Sequence, residues 1–389
     1  MTDQTSEVRR ILSCDGGGIR GIITLRCLEA LETRVGPLKE FFHMFAGTST
    51  GAVIAGALAA GISVKELIAL YTNRRFEIFS QRLFGCLHPL VTKFKKKPLH
   101  RILREKLADI TLADLEHDVL ITAVDTVRSE TIYFTSFRVP GNPGARYGTY
   151  RKVRLRDAIE ASVSAPTYFA AHGRFIDGGT TVYNNPAYVA AVEALRYSSN
   201  RRADPPQPSF YDNAHVEVYS FGVGAQTNCM EPGEAEKKWS ICWLTYVIGE
   251  SSNQAGFEQS YVAQSELDIA EKTIAFYRYD IYLNRMVLQW AVPDSTIDPR
   301  TLAPDTALDE ARFHLLDEIG KKYGQRIFPR SFTAPTPPAA GVSRAERSRI
   351  IVRQEGAAGH WDKFGQPGLP PDYVDQVLAE FREIDRRFE

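Results

Sequence analysis

Ile11-Leu12-Ser13-Cys14-Asp15-Gly16-Gly17-Gly18-Ile19-Arg20-Gly21 is a short apolar run that gives way to a glycine-rich turn. The run reads as a buried strand. Gly21–Val35 reads as a helix, because Ile22, Leu25, Leu28 and Leu31 recur at helical spacing. The arrangement then repeats, with Phe41–Ala46 as a second buried strand, Gly47-Thr48-Ser49-Thr50-Gly51 as its turn and Thr50–Ala60 as a helix of small residues. Strands that hand over to helices in this way predict an α/β fold with a mostly parallel sheet covered on both faces.

The same alternation continues downstream. Ser63 and Glu66 have the spacing of a capping box. Val119–Val124 and Ile132–Phe137 read as strands about the polar turn Arg128-Ser129-Glu130, Leu155–Val163 as a helix and Phe175–Ile176 as a short strand. Pro186–Tyr197 begins with proline at a helix N-terminus, and Val216–Phe221 is a strand ended by Gly222 and Gly224. Helices are expected over Glu236–Glu250, Ser265–Thr273 and Leu308–Tyr323, with strand-like Ala275–Leu283 among them. Ser198–Asn213 and the proline-rich Phe328–Val342 read as loop and linker. Pro370–Glu389, with Tyr373, Val377, Leu378 and Phe381, reads as an amphipathic helix docked on the body or on another subunit. The expected division is one domain over residues 8–325, then a linker and C-terminal helical extension over 326–389.

Bulk properties narrow the class. The chain has 389 residues, and its 47 Lys+Arg balance 47 Asp+Glu, so the whole-chain charge does not suggest a DNA- or RNA-binding surface. Five scattered cysteines with no C-x-x-C spacing argue against a disulfide framework and a structural zinc site, and fit a reducing cytosol. Met1–Arg10 has no apolar signal core, and Ala52–Ile62 is too short to span a bilayer. A cytoplasmic protein is expected.

The chemistry lies in the turns. A glycine run after a strand presents backbone N–H groups, and G-x-S-x-G after a strand places Ser49 on a strained elbow. Together they suit acyl transfer, in which a nucleophile attacks a carbonyl and the oxyanion meets pre-placed donors. Asp177-Gly178-Gly179 supplies a carboxylate that the glycines let bend inward. Each turn has a plainer reading: a tight turn, a helix-capping serine, a hairpin. Gly16–Gly21 also satisfies the dinucleotide pattern G-x-G-x-x-G, but the next strand ends in Ala46-Gly47-Thr48-Ser49 with no carboxylate for a ribose. A Ser-His-Asp triad of the α/β-hydrolase kind would draw on His215, His314 or His360. His172 with Asp177 is the nearest approach to a metal-ligand cluster, and His172 reads as a loop histidine. No metal or organic cofactor is expected.

Taken together, the three motifs resemble those of the patatin-like phospholipases, over roughly Arg10 to Tyr323. Ala165-Pro166-Thr167-Tyr168-Phe169 also looks like that family's loop before its aspartate. The resemblance implies a three-layer α/β/α fold and hydrolysis of phospholipid acyl esters through an acyl-enzyme. It implies Ser49 as nucleophile and Asp177 as the base of a Ser–Asp dyad. Gly16, Gly17, Gly18, Ile19, Arg20 and Gly21 would form the oxyanion turn, with the amides of Gly17 and Gly18 as donors and Ile19 as a third. Gly47, Thr48, Thr50 and Gly51 would shape the elbow, Gly178 and Gly179 the dyad loop, and Arg20 would support the turn or meet a lipid phosphate.

Within the family the chain is similar to the bacterial phospholipase effectors of cyclic-oligonucleotide (CBASS) antiphage defence, idle until a cyclic dinucleotide binds. A constitutive or otherwise regulated lipase is the alternative. Arg201, Arg202 and Trp239–Tyr246 offer the cations and stacking faces that such a signal needs. Phe79, Leu83, Phe84, Leu87, Val91 and Phe94, mixed with Lys93, Lys95, Lys96 and Lys97, read as a surface that meets anionic lipid at the inner face of the membrane. A homo-oligomer is compatible with the C-terminal extension.

Overall fold

The computed structural model describes residues 7–81, 92–136, 150–197, 210–211, 214–226, 233–237, 274–303, 308–335 and 360–362, and isolated positions at 243, 246, 259, 364, 371–373, 375–376, 378–379 and 386. Strand β1 (Val8–Cys14) leads through a 3-10 turn, Gly18–Arg20, into α1 (Gly21–Val35). After α2 (Leu38–Phe41), β2 (Met44–Gly47) feeds α3 (Thr50–Ala59), and α4 (Val64–Ile78) and α5 (Lys96–Leu107) follow. Next come β3 (Asp118–Asp125), β4 (Glu130–Thr135), α6 (Leu155–Ser162), β5 (Phe175–Asp177) and α7 (Ala187–Val192). The remaining strands are β6 (His215–Phe221), β7 (Ala225–Gln226), β8 (Ile274–Tyr279), β9 (Tyr282–Leu283) and β10 (His360–Asp362). Helices Arg285–Ala291 and Glu310–Ile327 lie between β9 and β10.

The main sheet runs β10-β8-β6-β1-β2-β3-β4 and is parallel except where β4 and β5 pair antiparallel with β3. Alternate residues supply its two faces. Leu12, Cys14, Phe45, Ile121, Tyr219 and Phe221 pack into a large core shared with α1, α3, α4 and α6. Ile11, Met44, Ala46, Leu120, Val216 and Val218 pack into a smaller core under α7 and Tyr211. This is the expected α/β/α arrangement, with unequal outer layers.

One feature of the topology positions the site. β2 pairs with β3 along Asp118–Ile121 and stops at Gly47, while β5 pairs with Ala123–Asp125. Because β4 holds the other edge of β3, β5 enters the lane that β2 vacates. Its last residue, Asp177, stands opposite Ala123, so the turn after β2 and the turn after β5 meet head-on.

Most expected elements form, and the departures have local causes. Phe41 is not in a strand: Pro37 precedes the single turn of α2, which tucks Phe41 and Phe42 into the core ahead of β2. Ser63 and Glu66 make both bonds of the capping box. The helix after Pro186 is α-helical only to Val192 and widens to a π-helix over Glu193–Tyr197. Of the helix expected at Glu236–Glu250, Ala235–Lys237 is a 3-10 turn and Trp243 and Tyr246 are helical, whereas Ser265–Thr273 lies outside the described residues, as does most of Ser198–Asn213. β10 comes from the segment read as linker and extension, and adds a strand to the sheet edge. Farther on, Tyr373 and Leu378 are helical and exposed.

Candidate active site

The elbow is built by glycine contacts. Ser49 has φ 54 and ψ −122, a backbone conformation unfavourable for a residue with a side chain. A Cβ on Gly51 would lie 2.0 Å from the Cys14 carbonyl oxygen, and one on Gly47 would lie 2.2 Å from the Gly51 oxygen. Only glycine lets β1, β2 and the first turn of α3 converge this closely. Thr48, fully buried, shares a 2.7 Å hydrogen bond with Thr122 on β3 and has a second 2.7 Å contact, to the Tyr183 carbonyl. The Thr50 hydroxyl bonds Tyr71 on α4. Ser49 is thereby held from below, its own N–H donating to Ser162 Oγ at 2.8 Å.

Asp177 arrives from β5 and is 3% exposed. Its Oδ1 accepts the Gly179 N–H at 2.6 Å, and the Ser49 hydroxyl lies beside the carboxylate, near enough to favour its charged form. Burial pushes the carboxyl up to about 6, against the opposing pull of the Ser49 hydroxyl and the Gly179 N–H. Gly178 permits the approach, since a Cβ there would lie 2.2 Å from Thr122 Oγ1. The structure thus brings together Ser49 and Asp177, which the sequence places far apart.

The glycine turn lies over this pair. A Cβ on Gly16 would meet Asn184 Oδ1 at 2.3 Å and the Ser49 Cβ at 3.1 Å. The row of donors is shorter than the motif. The Gly16 amide donates to the Asn184 carbonyl, that of Arg20 to Gly17, and that of Gly21 to Gly18 and Ile19. These three amides are engaged within the protein, whereas those of Gly17, Gly18 and Ile19 have no protein acceptor among the described residues. Arg20 is 6% exposed, too deeply buried to meet a headgroup.

Beneath the turn, Arg278 on β8 grips Asp15 with two bonds of 2.9 and 2.6 Å, and also bonds Asp280 and Ser220 at 2.9 Å. Asp15, Arg278 and Asp280 are all under 9% exposed. Asp280 in turn accepts the Gly224 N–H, and the intervening Val223 side chain fills the space where a Cβ on Gly17 would sit.

The histidines of the rival triad lie elsewhere. His215 begins β6, paired with Val8 at the end of β1 away from the glycine turn; His314 is exposed on helix Glu310–Ile327; His360 begins the edge strand β10. His172 contacts Glu160 and Asp157, not Asp177. The aromatic–lysine stretch also departs from expectation. Phe94 is 1% exposed and packs with Phe79, Tyr168 and Phe169, because aromatic rings are worth more in a core than on a wet surface. Lys96 turns inward to Ser164 Oγ and the Ala170 carbonyl, leaving Lys95 and Lys97 exposed. Leu83, Phe84, Leu87 and Val91 lie outside the described residues, as do Arg201 and Arg202.

Ser162, Asn184, Arg278 and Asp280 were not anticipated. A sequence signal existed for one of them: an arginine inside the apolar strand Ile274–Tyr279 must find a buried carboxylate.

A family model described as patatin-like phospholipase matches residues 12–191, a span that holds all three motifs. The chain is 31% identical over 313 residues to a cGAMP-activated phospholipase of Escherichia coli, covering 74% of this chain and 83% of that protein. It is 26% identical over 348 residues to a cGAMP-activated phospholipase of Vibrio cholerae, covering 83% and 91%. A cUMP-AMP-activated phospholipase of Escherichia coli is 32% identical over 262 residues, covering 63% and 75%.

Proposed function

The chain belongs to the patatin-like phospholipase family, and from that premise we propose that Ser49 and Asp177 act as a catalytic dyad on the acyl esters of membrane phospholipids. The observation that carries this reading is the Ser49 hydroxyl beside the buried Asp177 carboxylate, under a turn whose Gly17, Gly18 and Ile19 amides have no protein acceptor among the described residues. Asp177 accepts the Ser49 proton as Oγ attacks the ester carbonyl, and the three amides receive the tetrahedral oxyanion. Asp177 then returns the proton to the departing lysophospholipid oxygen, leaving an acyl group on Ser49. Water, deprotonated by the same carboxylate, releases the fatty acid and restores the serine.

The base works only when ionised. With its carboxyl at about 6, kcat/KM is expected to rise roughly tenfold per pH unit below about 6 and to level off above about 7. A pH–rate profile on a soluble ester checks this, and a limb near 4 would contradict the buried-base reading.

Relatives named for activation by cGAMP or cUMP-AMP support a further step: a cyclic dinucleotide switches this enzyme on, and it then degrades the membrane of its own cell as an antiphage effector. Among the described residues no helix is long and apolar enough to cross a membrane, and peripheral contact with the inner leaflet fits the chemistry. Exposed Tyr373 and Leu378 suit contact between copies. The test is fatty-acid release from mixed-chain phospholipid vesicles against a panel of cyclic dinucleotides. Release with one member of the panel, absent in Ser49→Ala, is the expected result; equal release with none of them removes the signal.

A further inference from the structure

Both reacting residues hang by their main chains from one short stretch of protein. Ser162, the last residue of α6, is fully buried, and its Oγ accepts the Ser49 N–H at 2.8 Å. Two residues on, the Ser164 carbonyl accepts the Asp177 N–H at 3.1 Å. Ser164 is itself pinned, its hydroxyl donating to the Glu160 carbonyl and accepting from Lys96 Nζ at 2.7 Å. Lys96 also donates to the Ala170 carbonyl at 3.0 Å, which closes the loop between α6 and β5. Ser49 and Asp177 come from different strands, yet 162–164 touches both.

We propose that Ser162 is a positioning residue, and that the end of α6 is the template that fixes the distance between the Ser49 hydroxyl and the Asp177 carboxylate. The inference rests on the dyad reading above. Ser49 sits at φ 54, outside helix α3, so its N–H has no helical acceptor and the strained conformation needs a partner from elsewhere. The Ser162 hydroxyl is that partner. Without it the elbow relaxes, Oγ drifts from the carboxylate, and alignment is lost while the lipid-binding surface stays the same. Misplacement by about 1 Å lowers turnover by roughly a hundredfold, so the effect falls on kcat.

A matched control is built into the fold. Ser136 is 3% exposed, and its Oγ accepts the Val119 N–H at 2.7 Å where β3 begins, the end of the strand remote from Asp177. Ser162→Ala and Ser136→Ala each remove one buried hydroxyl that accepts one main-chain N–H, and Ser136→Ala also removes a 3.2 Å bond donated to the His117 carbonyl. Hydrolysis of p-nitrophenyl butyrate and labelling by a fluorophosphonate are measured for both, beside Ser49→Ala and the wild type.

The expected result is a fall in kcat of roughly 10- to 100-fold for Ser162→Ala with KM within about twofold, and no change in kcat for Ser136→Ala. The acid limb of kcat/KM also moves up in Ser162→Ala, because the Ser49 hydroxyl, which favours the charged Asp177 carboxyl, is drawn away from it. Equal kcat in the two alanine variants overturns the proposal. Should Ser162→Ala not fold, Ser162→Cys keeps the volume and weakens the acceptor: a lowered kcat supports the template, and wild-type kcat overturns it. Activity retained by Ser49→Ala marks failure of the dyad itself, whereas an inactive Ser49→Ala beside a fully active Ser162→Ala marks failure of the template alone.

Discussion

Ser49→Ala and Asp177→Asn are each expected to abolish useful turnover, the first by about 10⁵-fold or more and the second by roughly 10²- to 10⁴-fold. The two differ in what they leave. Without Ser49 there is no nucleophile, so fluorophosphonate labelling disappears. Without the Asp177 carboxylate the serine remains on its elbow but loses its proton acceptor, so labelling slows and does not vanish. Stability moves the opposite way in the aspartate variant. The carboxyl is raised from 3.8 to about 6 by burial, so the folded state binds its proton more tightly than the unfolded chain does. Its contribution is favourable below about pH 4, and is lost as pH rises through about 6, where a buried charge becomes a net cost. Asp177→Asn removes that charge and is therefore expected to stabilise the fold at about pH 8 by up to roughly 3 kcal/mol. The gain shrinks to nothing as pH falls towards 4. Urea denaturation at several pH values reads this, and a variant less stable than the wild type at pH 8 would show that the carboxylate holds its loop together more than burial strains it.

How much of this was legible in the chain depends on the range of each interaction. The glycine turns could be read locally, since Gly47, Gly51 and Gly178 occupy places where any Cβ would collide with main chain or with Thr122. Strand–helix alternation likewise gave the α/β class, because periodicity is a property of neighbouring residues. The meeting of Ser49 with Asp177 was inferred from motifs. Its physical cause, β5 taking the lane where β2 ends, is a matter of topology that no local pattern encodes. Ser162 was missed for a related reason: a serine in a run of small residues looks the same whether or not its hydroxyl meets an amide 113 positions away. Phe94 was misread because a lysine-flanked aromatic carries no mark of which way it faces. Its ring turned inward to Phe79 and Phe169, while Lys95 and Lys97 stayed at the surface.

Arg278 is where the largest loss of stability is expected. Its guanidinium serves Asp15 and Asp280 together, and all three residues are buried. Arg278→Met keeps much of the volume and leaves two carboxylates buried without their cation, a change that typically costs about 3–5 kcal/mol. The deficit should depend on pH in a definite direction. Asp15 already lies near 6, because burial outweighs the pull of Arg278, and removal of the arginine raises it further. Acid then neutralises Asp15, so Arg278→Met approaches the wild type as pH falls and loses most ground above about pH 7. Asp15→Asn added to Arg278→Met should recover part of the loss at pH 8, since one of the two stranded charges is gone. Turnover should fall too, by more than the unfolded fraction explains. Asp15 is the residue before the glycine turn, and Asp280 steadies Gly224 beside the Val223 side chain that packs on Gly17. A deficit under about 1 kcal/mol that stays constant from pH 5.5 to 8 would mean that the three charges are solvated well enough to part without penalty.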